Sequence, residues 1–544
     1  MTQKIINLTA GEPYALQGRI VTMNDQYDVL DDSVIYIQSG HIVGVLPVSA
    51  PPPPGFENCV TIRTGGTIYP GLIELHNHLS YNALPPWTVP QKFTNRGQWG
   101  KVPDYRKYIS GPMQILGKTP GYVEAIVRYV ECKCLLGGVT TSQGIALASN
   151  QGIQKYYCGV TRNVEEPDNP DLPKASARIS DVAANDVEKF YALLKRESSC
   201  FLLHLSEGID DEAHKHFAAL QLQNGEWAIT PALSGIHSAG LKPGDFKIMQ
   251  SHGGSIVWSP LSNFLLYGNT ADIRAAKESG MLIGIGSDWS PSGSKNLLGE
   301  LKVARLESDK LGGLFTNPEI LALATRNPAK ILKWDNLLGS LETGKLADLI
   351  VVKGKKGDPY DLLLKSNESA IRLVVINGTP RYGVSSLMNC FGTGTENWKV
   401  GNSKRILNLK QETADPVVGT LTLGKAKNLL AEGMQKLPEL AANLESAAAG
   451  LAAGAGEVSE IQWTLVLDHD EMEGEAQRHH LPYGADGLPT GDITVMAAAE
   501  PLSTIVSPIR LDPLTVVDDD EFLTQLANQK NLPDYIKTGL PNWY

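Results

Sequence analysis

The stretch IYPGLIELHNH, Ile68–His78, decides how this chain is read. It is an apolar run of strand length that ends in two histidines spaced by one residue. Alternate residues of a strand face the same side, so His76 and His78 can point together at one ion. Imidazole nitrogen suits zinc, iron and similar metals. At the C-terminal end of a barrel strand, such a pair sits where active sites gather.

Outward from this stretch, strand-like and helical patterns alternate. A helix near Pro120–Leu136 precedes strands at Val139–Ile145 and Tyr156–Asn163. Helices near Asp181–Lys195, Asp211–Leu222, Pro243–Gln250 and Thr270–Ser279 separate strands at Phe201–Leu205, Ala228–Leu233, Ser255–Trp258 and Met281–Gly286. A βαβα series implies parallel strands with crossover helices. Its length, about 270 residues, fits a (β/α)8 TIM-like barrel. Seven strands are clear, and the eighth is expected within the proline-rich stretch Glu165–Arg178. A doubly wound open sheet is the competing architecture.

Short strands precede the series, at Ala15–Met23, Ser33–Gln38 and His41–Pro47, with Ser39-Gly40 as a hairpin turn. Strand patterns return at Leu338–Val352 and Ile371–Tyr382. The expected α/β organisation is a composite β-sandwich from residues 1–67 and 338–412, a barrel at 68–337, and a C-terminal extension at 413–544. In the extension, Leu421–Ala448 reads as a helix interrupted at Pro438. The run AAAGLAAGAG (Ala447–Gly456) is low-complexity, and Asp518–Glu521 suits a helix N-terminus.

Three further strand ends carry chemistry. His204 closes Phe201–Leu205, and Glu207 follows three residues later, close enough to a metal to move protons without binding it. His237 follows the next strand and could polarise a carbonyl or orient water. Asp288 ends Leu282–Ser287, and a buried Asp is costly unless paired or ligating. The expected metal ligands are therefore His76, His78, His204 and Asp288, with Glu207, His237 and Asp288 as catalysts. The loop after His78 is rich in aromatics and prolines and is expected to cap the pocket. Trp87 in that loop, with Trp258 and Asn263, are the candidate substrate contacts. His214, His216 and His252 read as solvated or helix-end residues, and His479 and His480 lie in a tail without a clear pattern. Asp468-His469-Asp470-Glu471 is a weak candidate cation site.

The chain resembles the amidohydrolase superfamily, and within it the cytosine deaminase and chlorohydrolase branch. The resemblance rests on PGLIELHNH (Pro70–His78), GVTT (Gly138–Thr141), HLSE (His204–Glu207), GIHS (Gly235–Ser238), SPLSN (Ser259–Asn263) and GIGSD (Gly284–Asp288). NPAKIL (Asn327–Leu332) and GSLETGKLADLIVV (Gly339–Val352) add to it, and it spans about Gln17 to Tyr382. It implies one divalent ion, zinc or alternatively iron, on the matching histidines and Asp, with Glu207 shuttling protons and His237 touching water or substrate. No strand carries a Lys placed like the bridging carbamylated lysine of the binuclear branches, which favours one metal over two. Where relatives often read His-Cys-Pro before the Ser-Asn pair, this chain has Trp258-Ser259-Pro260.

The implied reaction is hydrolysis of a non-peptide C–N bond in a small molecule, as deamination or as amide, urea or carbamate cleavage. The alternative is a catalytically inactive amidohydrolase-like scaffold. The net charge of −11 and the lack of a basic block argue against a nucleic-acid partner. No apolar run is long enough for a signal peptide or membrane span, so a cytoplasmic protein is expected, with a homo-oligomer open. Six scattered cysteines are expected to be free thiols.

Overall fold

The computed structural model describes residues 5–167, 169–411, 415, 417–452, 461–468 and 500–544. Eight short parallel strands follow one another along the chain. Leu72–Ile73, Val139–Ser142 and Arg162–Asn163 form one sheet; Ser176–Arg178, Phe201–Leu205, Leu233–His237, Ser255–Trp258 and Leu282–Ile285 form another. The seams are bonded as well. The Ala175 amide donates to the Val164 carbonyl at 2.9 Å, and Asn77 bridges Asp288 in parallel. This strand order and these seams are those of a (β/α)8 barrel. Phe201–Leu205 is buried along its whole length, which is why it reads as a continuous apolar run rather than an alternating one.

The eighth strand lies where it was expected, within Glu165–Arg178, as Ser176–Arg178. Three others differ. The run from Ile68 is divided between Val60–Pro70 of the nine-stranded sheet and Leu72–Ile73 of the barrel, and the strand expected at Tyr156–Asn163 is only Arg162–Asn163. The strand expected at Ala228–Leu233 instead runs Leu233–His237. The Ala228 amide is bonded to the Leu220 carbonyl, so the first apolar residues of that segment pack under the preceding helix.

The flanking β segments unite in one nine-stranded sheet. Leu349–Lys353 pairs antiparallel with Val60–Pro70, which lies parallel to Tyr14–Val21. The N-terminal and post-barrel segments thus share a core around Leu16, Ile35, Ile68, Val351 and Leu373.

The extension packs back on the barrel. Its first helices, Leu423–Gln435 and Leu437–Ala452, break just before Pro438, which lacks the amide a continuous helix needs. Strand Trp463–Leu465 adds antiparallel to the Ala146–Ser149 hairpin strand. Further on, Asp512 receives Lys133 Nζ at 2.5 Å and Lys295 Nζ at 2.7 Å, and Asp519 receives Lys295 at 2.8 Å and Arg510 at 3.2 Å. Both lysines and Asp512 are fully buried. Beyond Ala452, the rest of the low-complexity run lies outside the described residues, as do His469–Glu471, His479 and His480. All six cysteines are free. Among the described residues, no helix is long and apolar enough to cross a membrane.

Candidate active site

Two strand ends are zipped together to build the site. The His78 amide donates to the Asp288 carbonyl at 2.7 Å, and the Asp288 amide returns a bond to the His76 carbonyl at 3.0 Å. Glu74 braces the same junction: it accepts from the Ser287 amide at 2.9 Å and from Asn77 Nδ2 at 3.0 Å. Burial pushes its carboxyl up to about 7 against these bonds. Gly286 must lack a side chain, because a Cβ there would lie 2.4 Å from His76 Cβ. His237 and Asp288 have positive φ, 62° and 66°, as does Ser206 at 51° just before Glu207. Left-handed backbone costs a non-glycine residue roughly 1–2 kcal/mol, and such strain gathers where side chains must be aimed.

Three imidazoles converge. Nε2 of His76 lies 3.1 Å from that of His78 and 3.2 Å from that of His204, and the last two are 3.2 Å apart. Asp288 Oδ1 stands 3.5 Å from His76 Nε2 and 3.3 Å from His78 Nε2. Burial, reinforced by the neighbouring imidazoles, holds His76 and His204 well below the ordinary histidine value, so both are neutral. Burial pushes Asp288 up to about 7, opposed by His78. Each ring's Nδ1 is engaged elsewhere: His76 with Ser259 Oγ at 2.7 Å, His204 with the Arg178 carbonyl at 3.4 Å, and His78 with Asp468 Oδ2 at 2.7 Å. A carbonyl and a carboxylate only accept, so the Nδ1 protons of His204 and His78 point outward and their Nε2 lone pairs inward; the Ser259 hydroxyl can accept the same proton from His76. Neutral nitrogens facing one another this way cannot satisfy each other. Tetrahedral ligands at zinc distances are separated by about 3.4 Å, close to these spacings, so the donor set fits one divalent ion.

Glu207 and His237 border the cluster, and each ends a hydrogen-bond relay headed by a tryptophan. An indole N–H only donates, which fixes the polarity of everything after it. Trp99 Nε1 donates to Tyr267 Oη at 3.0 Å, so the Tyr267 proton goes to Glu207 Oε1 at 2.7 Å. Oε2 is then the oxygen left to handle a proton; it lies 3.7 Å from His237 Nε2 and 3.8 Å from Arg96 Nη1. In the second relay, Trp258 Nε1 donates to Thr270 Oγ1 at 2.8 Å, and Thr270 donates to Asn263 Oδ1 at 3.2 Å. The Asn263 amide nitrogen must therefore face His237 Nδ1, at 3.0 Å. Burial drives His237 down to about 4, against the pull of Glu207. It is neutral, with its proton on Nε2.

That polarity separates two overlapping donor groups. His76, His78 and Asp288 form one, and His76, His204 and His237 another, with donor atoms within 4.8 Å of one another in each. A proton on Nε2 makes His237 a donor rather than a ligand.

None of the three candidate substrate contacts, Trp87, Trp258 and Asn263, lines the cavity beside the cluster. Trp87 packs on Phe93 and Tyr105. Trp258 is fully buried and acts from behind, through Thr270 and Asn263. The cavity walls are instead Trp99, Trp289, Ile179, Leu266, Arg96 and Asp468, with His78, His204, Glu207, His237 and Asp288 at its base; it encloses about 20 Å³, room for about one water. Trp99 comes from the expected aromatic loop. Trp289 follows Asp288 directly, a position the sequence could have flagged. Arg96 and Tyr267 carried no motif, and Asp468 stood only in the candidate cation site Asp468–Glu471, whose other residues lie outside the described ones. His214 pairs with Asp245 at 2.9 Å, His216 lies 3.3 Å from Asp181, and His252 is exposed at a helix end, all outside the cluster.

Comparison with known proteins agrees with this architecture. The amidohydrolase family model matches residues 213–381. A 5-methylthioadenosine/S-adenosylhomocysteine deaminase of Symbiobacterium thermophilum is 22% identical over 405 residues, 67% of this chain and 89% of that protein. A 5'-deoxyadenosine deaminase of Methanosarcina mazei is 30% identical over 163 residues, 27% of this chain and 36% of its own. A zinc-bound adenosine deaminase from Xanthomonas campestris shares the fold at a TM-score of 0.54 and 17% identity, covering 70% of this chain and 93% of that one. Atrazine chlorohydrolase from Arthrobacter aurescens, complexed with zinc, does so at 0.53 and 20%, covering 68% and 94%. The family model spans residues 213–381, less than half of this chain; with the sequence relatives and the shared fold it makes this chain similar to amidohydrolases.

Proposed function

We propose that this protein is a metal-dependent hydrolase that removes an amino group from a flat, nitrogen-containing small molecule. The observation that carries the reading is the convergence of three Nε2 lone pairs and Asp288 Oδ1 beside Glu207 Oε2 and the His237 Nε2 proton. His76, His78, His204 and Asp288 would hold one ion, zinc by the donor set and iron as the alternative. When bound, a divalent ion there lowers the pKa of water and polarises the electrophile.

The chain's own groups do the rest. Glu207 Oε2 accepts a proton from the attacking water and passes it to the departing nitrogen. Tyr267 holds the other carboxylate oxygen, so the proton has one place to go. His237 donates from Nε2 to the attacking oxygen and holds it against the electrophilic carbon while negative charge gathers on the adjoining ring nitrogen. Arg96 balances Glu207 and is itself tied to Asp181 at 2.6 Å. Trp99 and Trp289 wall the cavity with apolar rings packed on each other at 5.8 Å, so a planar substrate would have to part them to reach the cluster. That several relatives are named deaminases of adenine-containing compounds supports deamination over amide, urea or carbamate cleavage.

The test is a panel of aminopurine nucleosides, aminotriazines, amides and ureas assayed for ammonia or amine release by the zinc-loaded protein. Release from an aminoheterocycle, abolished in Glu207→Gln, is expected. Turnover confined to amides or ureas would replace deamination with their cleavage. No turnover by a protein that also binds no metal would leave the scaffold reading.

A further inference from the structure

We infer that Asp468, delivered by the C-terminal extension, is a positioning residue that completes the metal site by fixing and charging His78. The inference rests on the metal-site reading above and goes beyond it, since it makes the extension part of the site.

The three converging histidines are not supported alike. His76 leans on the Ser259 hydroxyl and His204 on the Arg178 carbonyl, both neutral groups of the barrel. His78 alone leans on a carboxylate, Asp468 Oδ2 at 2.7 Å, and that carboxylate comes from outside the barrel. Both side chains are about nine-tenths buried. A carboxylate in such a place is costly unless a partner meets it, and the Nδ1 proton of His78 is that partner. The contact fixes the tautomer that leaves Nε2 free to ligate, sets the ring plane, and raises the basicity of the imidazole.

Charge points the same way. A divalent ion among three neutral imidazoles and the Asp288 carboxylate would keep one net positive charge in a buried site. Asp468 brings that sum to zero without occupying a ligand position, because it bonds the far side of the ring from Nε2.

The extension is aimed at this contact. Trp463–Leu465 pairs in register with Ala146–Ser149, and the Val466 amide continues the ladder to the Ala146 carbonyl at 3.0 Å. Leu465 and Leu467 are buried. The Asp468 amide then donates to Tyr81 Oη at 3.2 Å, and the Tyr81 amide is bonded to the His78 carbonyl at 2.9 Å. Asp468 therefore meets the histidine loop twice, once through its backbone and once through its carboxylate.

The experiment measures zinc affinity of the full chain by competition with a chromophoric chelator, and the rate of zinc loss into excess EDTA. It compares wild type, Asp468→Ala, Asp468→Asn, Asp468→Glu and His76→Ala. Loss of such a partner weakens metal binding about 10- to 100-fold. Asp468→Ala is expected in that range with faster zinc loss, Asp468→Asn between it and wild type, and Asp468→Glu nearest wild type. The visible spectrum of the cobalt-substituted Asp468→Asn protein should shift, because the His78 ring is no longer charged from behind. The near-isosteric Asn variant keeps the test valid should Asp468→Ala fold poorly. If Asp468 only tethers the extension, thermal stability of the metal-free variants falls while zinc affinity and the cobalt spectrum match wild type; that overturns the inference. If His76→Ala also binds zinc like wild type, the metal-site reading itself falls. If His76→Ala loses zinc and the Asp468 variants keep it, only the present inference does.

Discussion

Substituting Asn263→Asp should invert the tautomer of His237 without changing the size of any side chain. In the native relay the Asn263 amide N–H meets His237 Nδ1 at 3.0 Å. The opposite tautomer would set two N–H groups against each other. That loses one hydrogen bond, about 0.5–1.5 kcal/mol, and leaves a buried donor unmet, about 1–3 kcal/mol. Together, roughly 1.5–4.5 kcal/mol favours the Nε2 proton by about 10- to 10³-fold. A carboxylate at 263 only accepts, so the preference reverses by a similar factor. kcat/KM should then fall about 10- to 10³-fold at pH 9, where a carboxylate-bound imidazole has lost its second proton. The assay is ammonia release from the best substrate of the panel, with metal content measured beside it and 15N-histidine NMR reporting the protonated nitrogen. A variant with stoichiometric metal, an inverted tautomer and kcat/KM within twofold of wild type would refute the role given to His237.

Other outcomes follow from the same geometry. Glu207→Gln should lower kcat by about 10²–10⁴ while metal analysis still finds the ion. Removing metal with a chelator should destabilise wild type by the linkage term, about 2.7 kcal/mol relative to a free metal concentration of 100 Kd, and lower its melting temperature accordingly; calorimetry should find no such response in His76→Ala. Asp512→Asn leaves Lys133 and Lys295 short of a buried counter-charge and should destabilise by about 3–5 kcal/mol in urea unfolding. Lys302 is buried and its ammonium is driven down to about 7, with only Glu368 opposing. Between pH 7 and about 10.4 the unfolded chain binds the extra proton, so wild-type stability climbs with pH there by up to about 1.4 kcal/mol per unit. The gain from Lys302→Met should be largest at pH 7 or below and vanish near pH 10.5; a gain independent of pH would contradict the burial argument.

The converging residues were legible because each ends an apolar strand, where a histidine or aspartate stands out against its neighbours. Ser176–Arg178 was legible only as lying within Glu165–Arg178, since three residues give no periodicity and prolines crowd the approach. The shift to Leu233–His237 arose because Ala228–Ala232 is as apolar as a strand yet packs as a loop. Trp258 looked like a substrate contact because it neighbours the Ser-Asn pair; only the direction of its indole, toward Thr270, shows that it works through Asn263. Asp468 was seen as one acid in a cluster beyond a low-complexity run. Its partner lies in the first barrel loop, and sequence spacing carries no record of so distant a pairing.

The buried cluster of Lys133, Lys295, Asp512 and Asp519 has a consequence for how the molecule comes apart and comes together. A barrel cut at residue 412 would keep two ammonium groups in its interior and lose both carboxylates that meet them. Such a fragment is not a smaller version of the protein, and limited proteolysis that released the last 45 residues should collapse the barrel rather than trim it. During synthesis the lysines leave the ribosome more than two hundred residues before Asp512. The charge match inside the barrel is therefore completed only when the end of the chain arrives.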